Sequence, residues 1–394
     1  MLARRIQNMT PSATSELLGK VAEMRAAGED IVAFSAGEPD LRTPQAVIDA
    51  CKKALDCGKT KYTAIGGILE LKKEICRKLA KDNHTEYTPD QICVSTGAKQ
   101  ALFNAVMALC DRGDEIIIPT PCWVSYVEMV KLAEGTPVLV STKADYSLDI
   151  DAIADTVTEK TKTIIINTPN NPTGACYDEE SLKKLAELAA KHNFYVISDE
   201  VYEKLVYDGN KHISIAAFSK EIYDRTVIIN GLSKSHSMTG WRLGYSAAPK
   251  EISKGITSLQ GHMTSNSTAF VQWAAAEALR SCDDAVEAMR QEFAKRRDYF
   301  YEKLCALPGI TCVKPGGAFY LMPDVSFYFG KKADGRTIEN SSDFCDYILQ
   351  EAKVAIVPGS AFGMPKTVRI AYTESMERIQ EGLERLEKAL GRLQ

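Results

Sequence analysis

Between residues 68 and 230 the chain alternates short, continuously apolar runs with longer stretches whose apolar positions recur every three or four residues. The runs at 91–95, 115–118, 137–140, 162–167, 194–198 and 227–229 read as buried strands, and another follows Trp241-Arg242. The stretches 68–81, 98–110, 123–133 and 178–192 read as amphipathic helices. A strand apolar on both faces must be covered on both, so the pattern predicts an α/β fold with a mostly parallel sheet between helices. Ahead of it come a helix from Thr10-Pro-Ser12 to about Ala27, a strand at Ile31–Ser35 and a helix from Pro44 to Cys57. After about 280 the pattern changes to a long charged helix at 283–305, short strands near 310–322 and a closing helix at 374–393. A chain of 394 residues exceeds one compact core. We therefore expect a large domain over 45–280 and a smaller α+β domain made of 1–44 and 281–394.

Composition narrows the class. Lys and Arg number 48 against 52 acidic residues, a net charge of −4, so no basic excess points to nucleic acid or a membrane surface. No apolar run is long enough to span a bilayer, and the first residues lack the apolar core of a signal peptide. The eleven cysteines include no C-x-x-C pair and the five histidines do not cluster, which argues against a disulfide framework or a metal site and for reduced thiols in the cytoplasm.

In open α/β sheets ligands sit outside the carboxyl ends of the strands, and those ends carry unusual residues here. Strand 31–35 runs into Gly37-Glu38-Pro39-Asp40, where glycine can bring backbone close to a ligand or simply make a turn. Gly97-Ala98-Lys99 opens a helix whose free N–H groups suit an anion, though geometry alone also explains a glycine there. Gly58-Lys59-Thr60 resembles the end of a phosphate-binding P-loop, but its first glycine should stand at position 53, which is Lys53. Asn171 lies in a polar loop flanked by prolines, where its amide can donate to a ligand or serve the turn. Asp199, ending an apolar strand, is costly to bury unless it meets a cation; a protonated pyridine, an arginine or a helix N-terminus would serve. Tyr202 can reach the same place. After strand 227–229 comes a small-residue turn with Ser233 and Lys234, and then Arg242. A desolvated lysine amine forms Schiff bases; a solvated turn lysine is the alternative. Together an amine, an acid, an anion-binding turn and a second cation describe a site for pyridoxal 5′-phosphate.

The motifs Ser-Ala-Gly-Glu-Pro-Asp at 35–40, Lys-Tyr at 61–62, Gly-Ala-Lys-Gln-Ala-Leu at 97–102 and Trp-Val-Ser-Tyr at 123–126 extend this along the chain. Asn-Asn-Pro-Thr-Gly at 170–174, Ser-Asp-Glu-Val-Tyr at 198–202 and Ser-Lys-Ser-His-Ser-Met-Thr-Gly-Trp-Arg at 233–242 continue them. Gly-Gly-Ala-Phe-Tyr at 316–320 and Val-Arg-Ile-Ala-Tyr at 368–372 complete the set. In these motifs the chain resembles the fold-type I pyridoxal-phosphate aminotransferases of class I, in their bacterial-type aspartate aminotransferase branch. The resemblance implies that Lys234 holds the cofactor and moves the proton, that Asp199 pairs with the ring nitrogen, and that Tyr202 and Asn171 bond the ring oxygen. It implies that Trp123 stacks on the ring, and that Gly97, Ala98, Lys99, Ser233 and Arg242 hold the phosphate together with Tyr62 from a second subunit, hence a homodimer. It assigns the substrate α-carboxylate to Arg369, with the Gly37 backbone, Asn171 and Trp123 beside it. The family often places Ser or Thr three residues before the lysine; Gly231 stands there, which shifts phosphate binding onto Ser233 and Arg242.

For the substrates the resemblance favours aspartate or glutamate with 2-oxoglutarate or oxaloacetate, because Lys99 and hydroxyls in the Pro11–Thr14 stretch suit a second carboxylate. A broader neutral or aromatic range is the alternative. Relatives active on prephenate carry Lys just before Pro-Ser-Ala-Thr, where this chain has Thr10. A C–S β-lyase remains a third reading, and a ligand-sensing module would need a DNA-binding segment that the chain does not offer.

Overall fold

The structure is a computed structural model that describes residues 2–11, 13–333 and 335–394, so the expectation for Ser12 lies outside the described residues. Its centre is a seven-stranded sheet: β1 (Ile92–Ser95), β2 (Glu115–Thr120), β3 (Thr136–Ser141), β4 (Thr161–Asn167), β5 (Tyr195–Asp199), β6 (Thr226–Gly231) and β7 (Gly244–Ala247). The spatial order is β1-β7-β6-β5-β4-β2-β3. Neighbours from β6 through β3 pair parallel, and β7 runs antiparallel to both β1 and β6. The link from β6 to β7 is the Lys234 turn, with no long helix to carry the chain back to the starting edge, so the next strand returns in the opposite sense.

Alternate residues of each strand enter different cores. Ile116, Ile118, Ile165, Ile197, Val227 and Ile229 pack against helices Ala98–Leu109, Ser125–Leu132 and Lys250–Met263. Ile117, Ile164, Ile166 and Val196 pack on the other face against Ile153, Leu182 and Leu185 of helices Ile150–Thr156 and Glu179–His192. Each such residue contributes about 1.5–3 kcal/mol by leaving water, which is why the strands read as unbroken apolar runs.

A further core gathers Phe293, Phe300, Phe319, Leu321, Ile370, Leu383 and Leu386 with Val32 and Phe34 from the N-terminal segment. Val32–Ala33 pairs parallel with Val354–Ala355, and a three-stranded antiparallel sheet has Val368–Ala371 at its centre, between Val357–Pro358 and Tyr320–Leu321. Helix Ala13–Ala26 lies over this region through Val21, which meets Ile31, Leu349 and Ala355.

Helices Lys250–Met263, Ala269–Ser281, Ser341–Glu351 and Ile150–Thr156, with the four-residue Arg4–Gln7 and Lys220–Tyr223, have no counterpart in the sequence reading. The second buries Ala274, Ala275, Ala276 and Ala278, small residues that write only a faint helical period. The helix expected from 123 starts at Ser125, which leaves Trp123 in the turn after β2. Near 310–322 only Tyr320–Leu321 forms a strand, because Pro308, Gly309, Pro315, Gly316 and Gly317 interrupt pairing. No described helix is long and apolar enough to cross a membrane.

Candidate active site

A cavity of about 290 Å³ opens at the carboxyl ends of the central strands, closed on its far side by Tyr320 and Arg369. Twelve of the residues singled out above line it: Thr14 and Gly37; Ala98, Lys99 and Trp123; Asn171, Asp199 and Tyr202; Ser233, Lys234, Arg242 and Arg369.

Lys234 is half-buried in the turn after β6, and its Nζ donates to the Gly37 carbonyl at 2.6 Å. Burial lowers its pKa to about 8; Glu38 and Asp199 pull it up, while Arg369 and Arg242 push it further down. A substantial share of the amine is therefore neutral near physiological pH, the form that attacks carbonyls and carries protons.

Asp199 ends β5 and is 5% exposed. Burial pushes its carboxyl up to about 6, against the hydroxyl of Tyr126, which donates to Oδ2 at 2.8 Å. The other oxygen receives only a long bond from Val201 N at 3.4 Å, so the carboxylate has capacity for a further cationic donor. Asn167 fixes the strand end by donating to the Asp199 carbonyl at 2.9 Å.

Beside them a helix start meets the Arg242 guanidinium, an arrangement suited to an anion. Gly97, with φ of 87°, precedes helix Ala98–Leu109, and a Cβ on it would stand 2.6 Å from Arg242 Nη2. Gly231 pairs directly with Gly244, and a side chain on Gly244 would overlap the backbone of Gly97 and Ala98. These glycines let the helix start lie flat on the sheet. A Cβ at Gly231 would stand 3.1 Å from Gly244 Cα and Leu243 O, so a side chain there requires the facing backbone to give by a few tenths of an ångström. Arg242 donates to Thr239 O at 2.7 Å and, among the described residues, forms no ion pair. The Lys99 ammonium lies 4.6 Å from the centre of the Trp123 ring, with its pKa lowered by burial and by Arg242.

Arg369 is 3% exposed, and its partners are neutral: Nη1 donates to Asn171 Oδ1 at 3.1 Å and Nη2 to Ser35 O at 3.0 Å. Tyr320 and Phe362 flank the guanidinium at 4.6 and 5.0 Å, and Nε has no partner. A buried guanidinium without a carboxylate is costly, and the face it turns to the cavity fits a planar anion.

Two expected residues lie outside the lining. Gly97 sits behind Arg242, and Tyr62 is 92% exposed, away from its own chain's cavity. The structure adds Ser35, Tyr126, Asn167, Thr239 and Tyr320 to the site. Tyr320 ends one of the motifs quoted above, and its hydroxyl pairs with that of Tyr202 at 2.9 Å. Tyr126 stands three residues after Trp123, in the first turn of helix Ser125–Leu132.

A mostly parallel sheet under helices, with an amine, a buried acid and two arginines at its carboxyl edge, is the architecture of fold-type I transferases. The family model for aminotransferase class I and II matches residues 29–386, and the chain belongs to that family of aminotransferases. It is 48% identical to an aspartate aminotransferase of Geobacillus stearothermophilus, with 98% of each chain covered. It is 46% identical to a probable aspartate/prephenate aminotransferase of Aquifex aeolicus, over 99% of this chain and 98% of that one. Among solved structures, the aspartate aminotransferase of Thermus thermophilus with maleate superposes with a TM-score of 0.93 at 40% identity, covering 99% of both chains.

Proposed function

We propose that the protein uses pyridoxal 5′-phosphate to transfer the amino group of aspartate or glutamate to 2-oxoglutarate or oxaloacetate in a ping-pong cycle. The carrying observation is the buried Arg369, which has only neutral partners, at one cavity with the amine of Lys234 and the carboxylate of Asp199. The donor set fits the cofactor: an amine with a lowered pKa for its aldehyde, a carboxylate with spare acceptor capacity for its ring nitrogen, and a helix start with Arg242 for its phosphate. When bound, the cofactor supplies an electrophilic carbonyl and an electron-withdrawing ring.

The chain's residues do the rest. Lys234 would hold the cofactor at its carbonyl and would carry the proton to and from the substrate Cα. Asp199 keeps the ring nitrogen protonated, Tyr202 and Asn171 serve the ring oxygen, and Trp123 covers a ring face. Gly97, Ala98, Ser233 and Arg242 take the phosphate, joined by Tyr62 of a second subunit in a homodimer, a role that its 92% exposure leaves open to it. Arg369 forks onto the α-carboxylate, with Asn171 and the Gly37 backbone beside it. Lys99 and Thr14, at the cavity mouth, suit a second carboxylate, and the maleate-bound Thermus relative, which holds a dicarboxylate, supports that preference. We read residues 45–280 as the cofactor-binding domain and 1–44 with 281–394 as the domain that covers it. Eleven free thiols fit a reducing compartment, and we assign the enzyme to the cytoplasm.

The Aquifex relative keeps prephenate, and with it a broader range, as the second reading. An absorption spectrum of the purified protein with added cofactor tests both. With L-aspartate alone, the visible band should give way to a near-ultraviolet one. Conversion by alanine or phenylalanine but not aspartate would overturn the substrate preference. Pyruvate and ammonia from cysteine-type substrates would indicate a β-lyase, and the lack of any band in folded protein would sink the enzyme reading.

A further inference from the structure

Tyr126 lies in the first turn of helix Ser125–Leu132, is 2% exposed and forms part of the cavity wall. Its hydroxyl makes the one short hydrogen bond to the Asp199 carboxylate among the described residues, 2.8 Å to Oδ2. Its ring meets the indole of Trp123 edge to face, with centroids 5.5 Å apart and planes at 87°. One helix start therefore reaches both residues that would touch the cofactor ring, the indole on its face and the acid at its nitrogen.

We propose that Tyr126 is a positioning residue: its hydroxyl locks the Asp199 carboxylate in the orientation that meets the ring nitrogen, and its ring braces Trp123. This rests on the reading of Asp199 given above. The contact is one-directional. Burial and the Asp199 charge push the phenol's pKa well above its ordinary value, so it stays a donor throughout the working range. A donor to a buried carboxylate stabilises the ionised form, which is the form that keeps a ring nitrogen protonated. The other groups facing Asp199 do not replace it. Lys234 favours the charge from across the cavity, Glu200 on the same strand end opposes it, the Tyr202 hydroxyl is engaged with Tyr320, and Cys122, beside the phenol, is an apolar neighbour whose thiol burial pushes up to about 12. Loss of the hydroxyl would leave Asp199 with the 3.4 Å contact to Val201 N alone.

The test uses the full chain as parent, Tyr126→Phe, Asp199→Asn and the double variant. Cofactor affinity is read by titrating pyridoxal 5′-phosphate into cofactor-free protein, and the Asp199 carboxyl is followed by infrared titration, its band being the one absent from Asp199→Asn. A hydrogen bond to a charged group predicts that Tyr126→Phe weakens cofactor binding about 10–100-fold. The same change in the Asp199→Asn background should cost less than about threefold, and the Asp199 midpoint should move to higher pH. Equal losses in both backgrounds, or an unmoved midpoint, would overturn the proposal in favour of simple packing. If Asp199→Asn weakens binding and Tyr126→Phe does not, the inference alone falls. If Asp199→Asn leaves binding unchanged, the reading of Asp199 falls with it. Incorporation of 3-fluorotyrosine at 126, which keeps the shape and makes the phenol a stronger donor, should move the midpoint the other way. That arm decides the matter should Tyr126→Phe fold poorly.

Discussion

Lys234 Nζ donates to the carbonyl of Gly37 at 2.6 Å, tying the turn after β6 to a loop 197 positions earlier in the chain. The bond holds the amine where burial lowers its pKa from 10.5 to about 8. Since the folded pKa lies below the unfolded one, the folded protein holds fewer protons between those values, and stability rises with pH across that window. Below pH 8 the full cost of the buried charge remains. Lys234→Met should therefore stabilise cofactor-free protein at pH 7 by about 1–3 kcal/mol while abolishing amino transfer. Urea denaturation at pH 7 and pH 10 checks this, with the gain shrinking at the higher pH. A destabilised variant at pH 7 would mean that the bond to Gly37 outweighs desolvation.

The flat seat of the helix start beside Arg242 depends on Gly244. Its Cβ position is occupied by backbone of Gly97 and Ala98, which cannot swing aside as a side chain would. Gly244→Ala should cost more than about 3 kcal/mol in unfolding free energy and lift the helix start away from Arg242. Gly240→Ala, at a position with open space around it, serves as the control and should leave the thermal midpoint within the scatter of a surface change.

Behind the strand that delivers Asp199 lies a buried charged cluster. Lys78 of helix Leu69–Asn83 pairs with Glu203, and the Asn83 amide bridges Glu203 Oε2 at 2.9 Å and Glu200 Oε2 at 2.7 Å. His212 Nε2 lies 3.0 Å from the same Glu200 oxygen. Glu200, Glu203 and His212 have metal-like spacing, but the Lys78 ammonium supplies the cation. Burial raises the Glu203 pKa, yet Lys78 and His212 outweigh it and hold it at about 2, below its ordinary 4.5. A lowered carboxyl pKa gives stability that is present above 4.5 and lost as pH falls toward 2. Lys78→Met should cost about 3–5 kcal/mol at pH 7 by stranding the carboxylate, and that deficit should shrink as pH falls and the stranded carboxyl takes up a proton. Adding Glu203→Leu should recover most of that loss, and failure to do so would show that the pair contributes more than its own desolvation.

Which parts of this molecule can be read from its sequence follows from what each residue's surroundings demand. Strands covered on both faces leave few polar positions, so β2 and β4 announce themselves as Ile-rich runs and β5 as an apolar one, and Asp199, which breaks β5 at its carboxyl end, stands out, whereas Asn167 at the end of β4 emerges only from the structure. Lys234 is conspicuous for the opposite reason, as a cation in a turn of small residues after a buried strand. Tyr126 is not, because a tyrosine on an apolar helix face looks like ordinary core until its hydroxyl is seen on Asp199. The Gly231–Gly244 pairing is equally hidden, since nothing local says that two strands and a helix start converge there. Helix Ala269–Ser281 escapes notice because alanines fill a tight space without marking it.

Arg369 needed the family motif to be singled out, and its surroundings now say what it lacks. The guanidinium is buried between Tyr320 and Phe362, bonded to an amide oxygen and a backbone carbonyl, with Nε unpartnered. Burial lowers its pKa, and among the described residues no carboxylate offsets the cost. An incoming carboxylate therefore relieves a pre-existing penalty as well as forming two bonds. Arg369→Lys keeps a charge but loses the planar fork, and should lower kcat/KM about 10²–10³-fold with cofactor affinity unchanged. The same logic gives a measurement without turnover. A dicarboxylate such as maleate at a hundred times its dissociation constant should stabilise the parent by about 2.7 kcal/mol, and Arg369→Lys far less at the same concentration. Equal stabilisation of both proteins would place the carboxylate elsewhere, on Lys99 or Arg242, and the assignment of Arg369 would have to be given up.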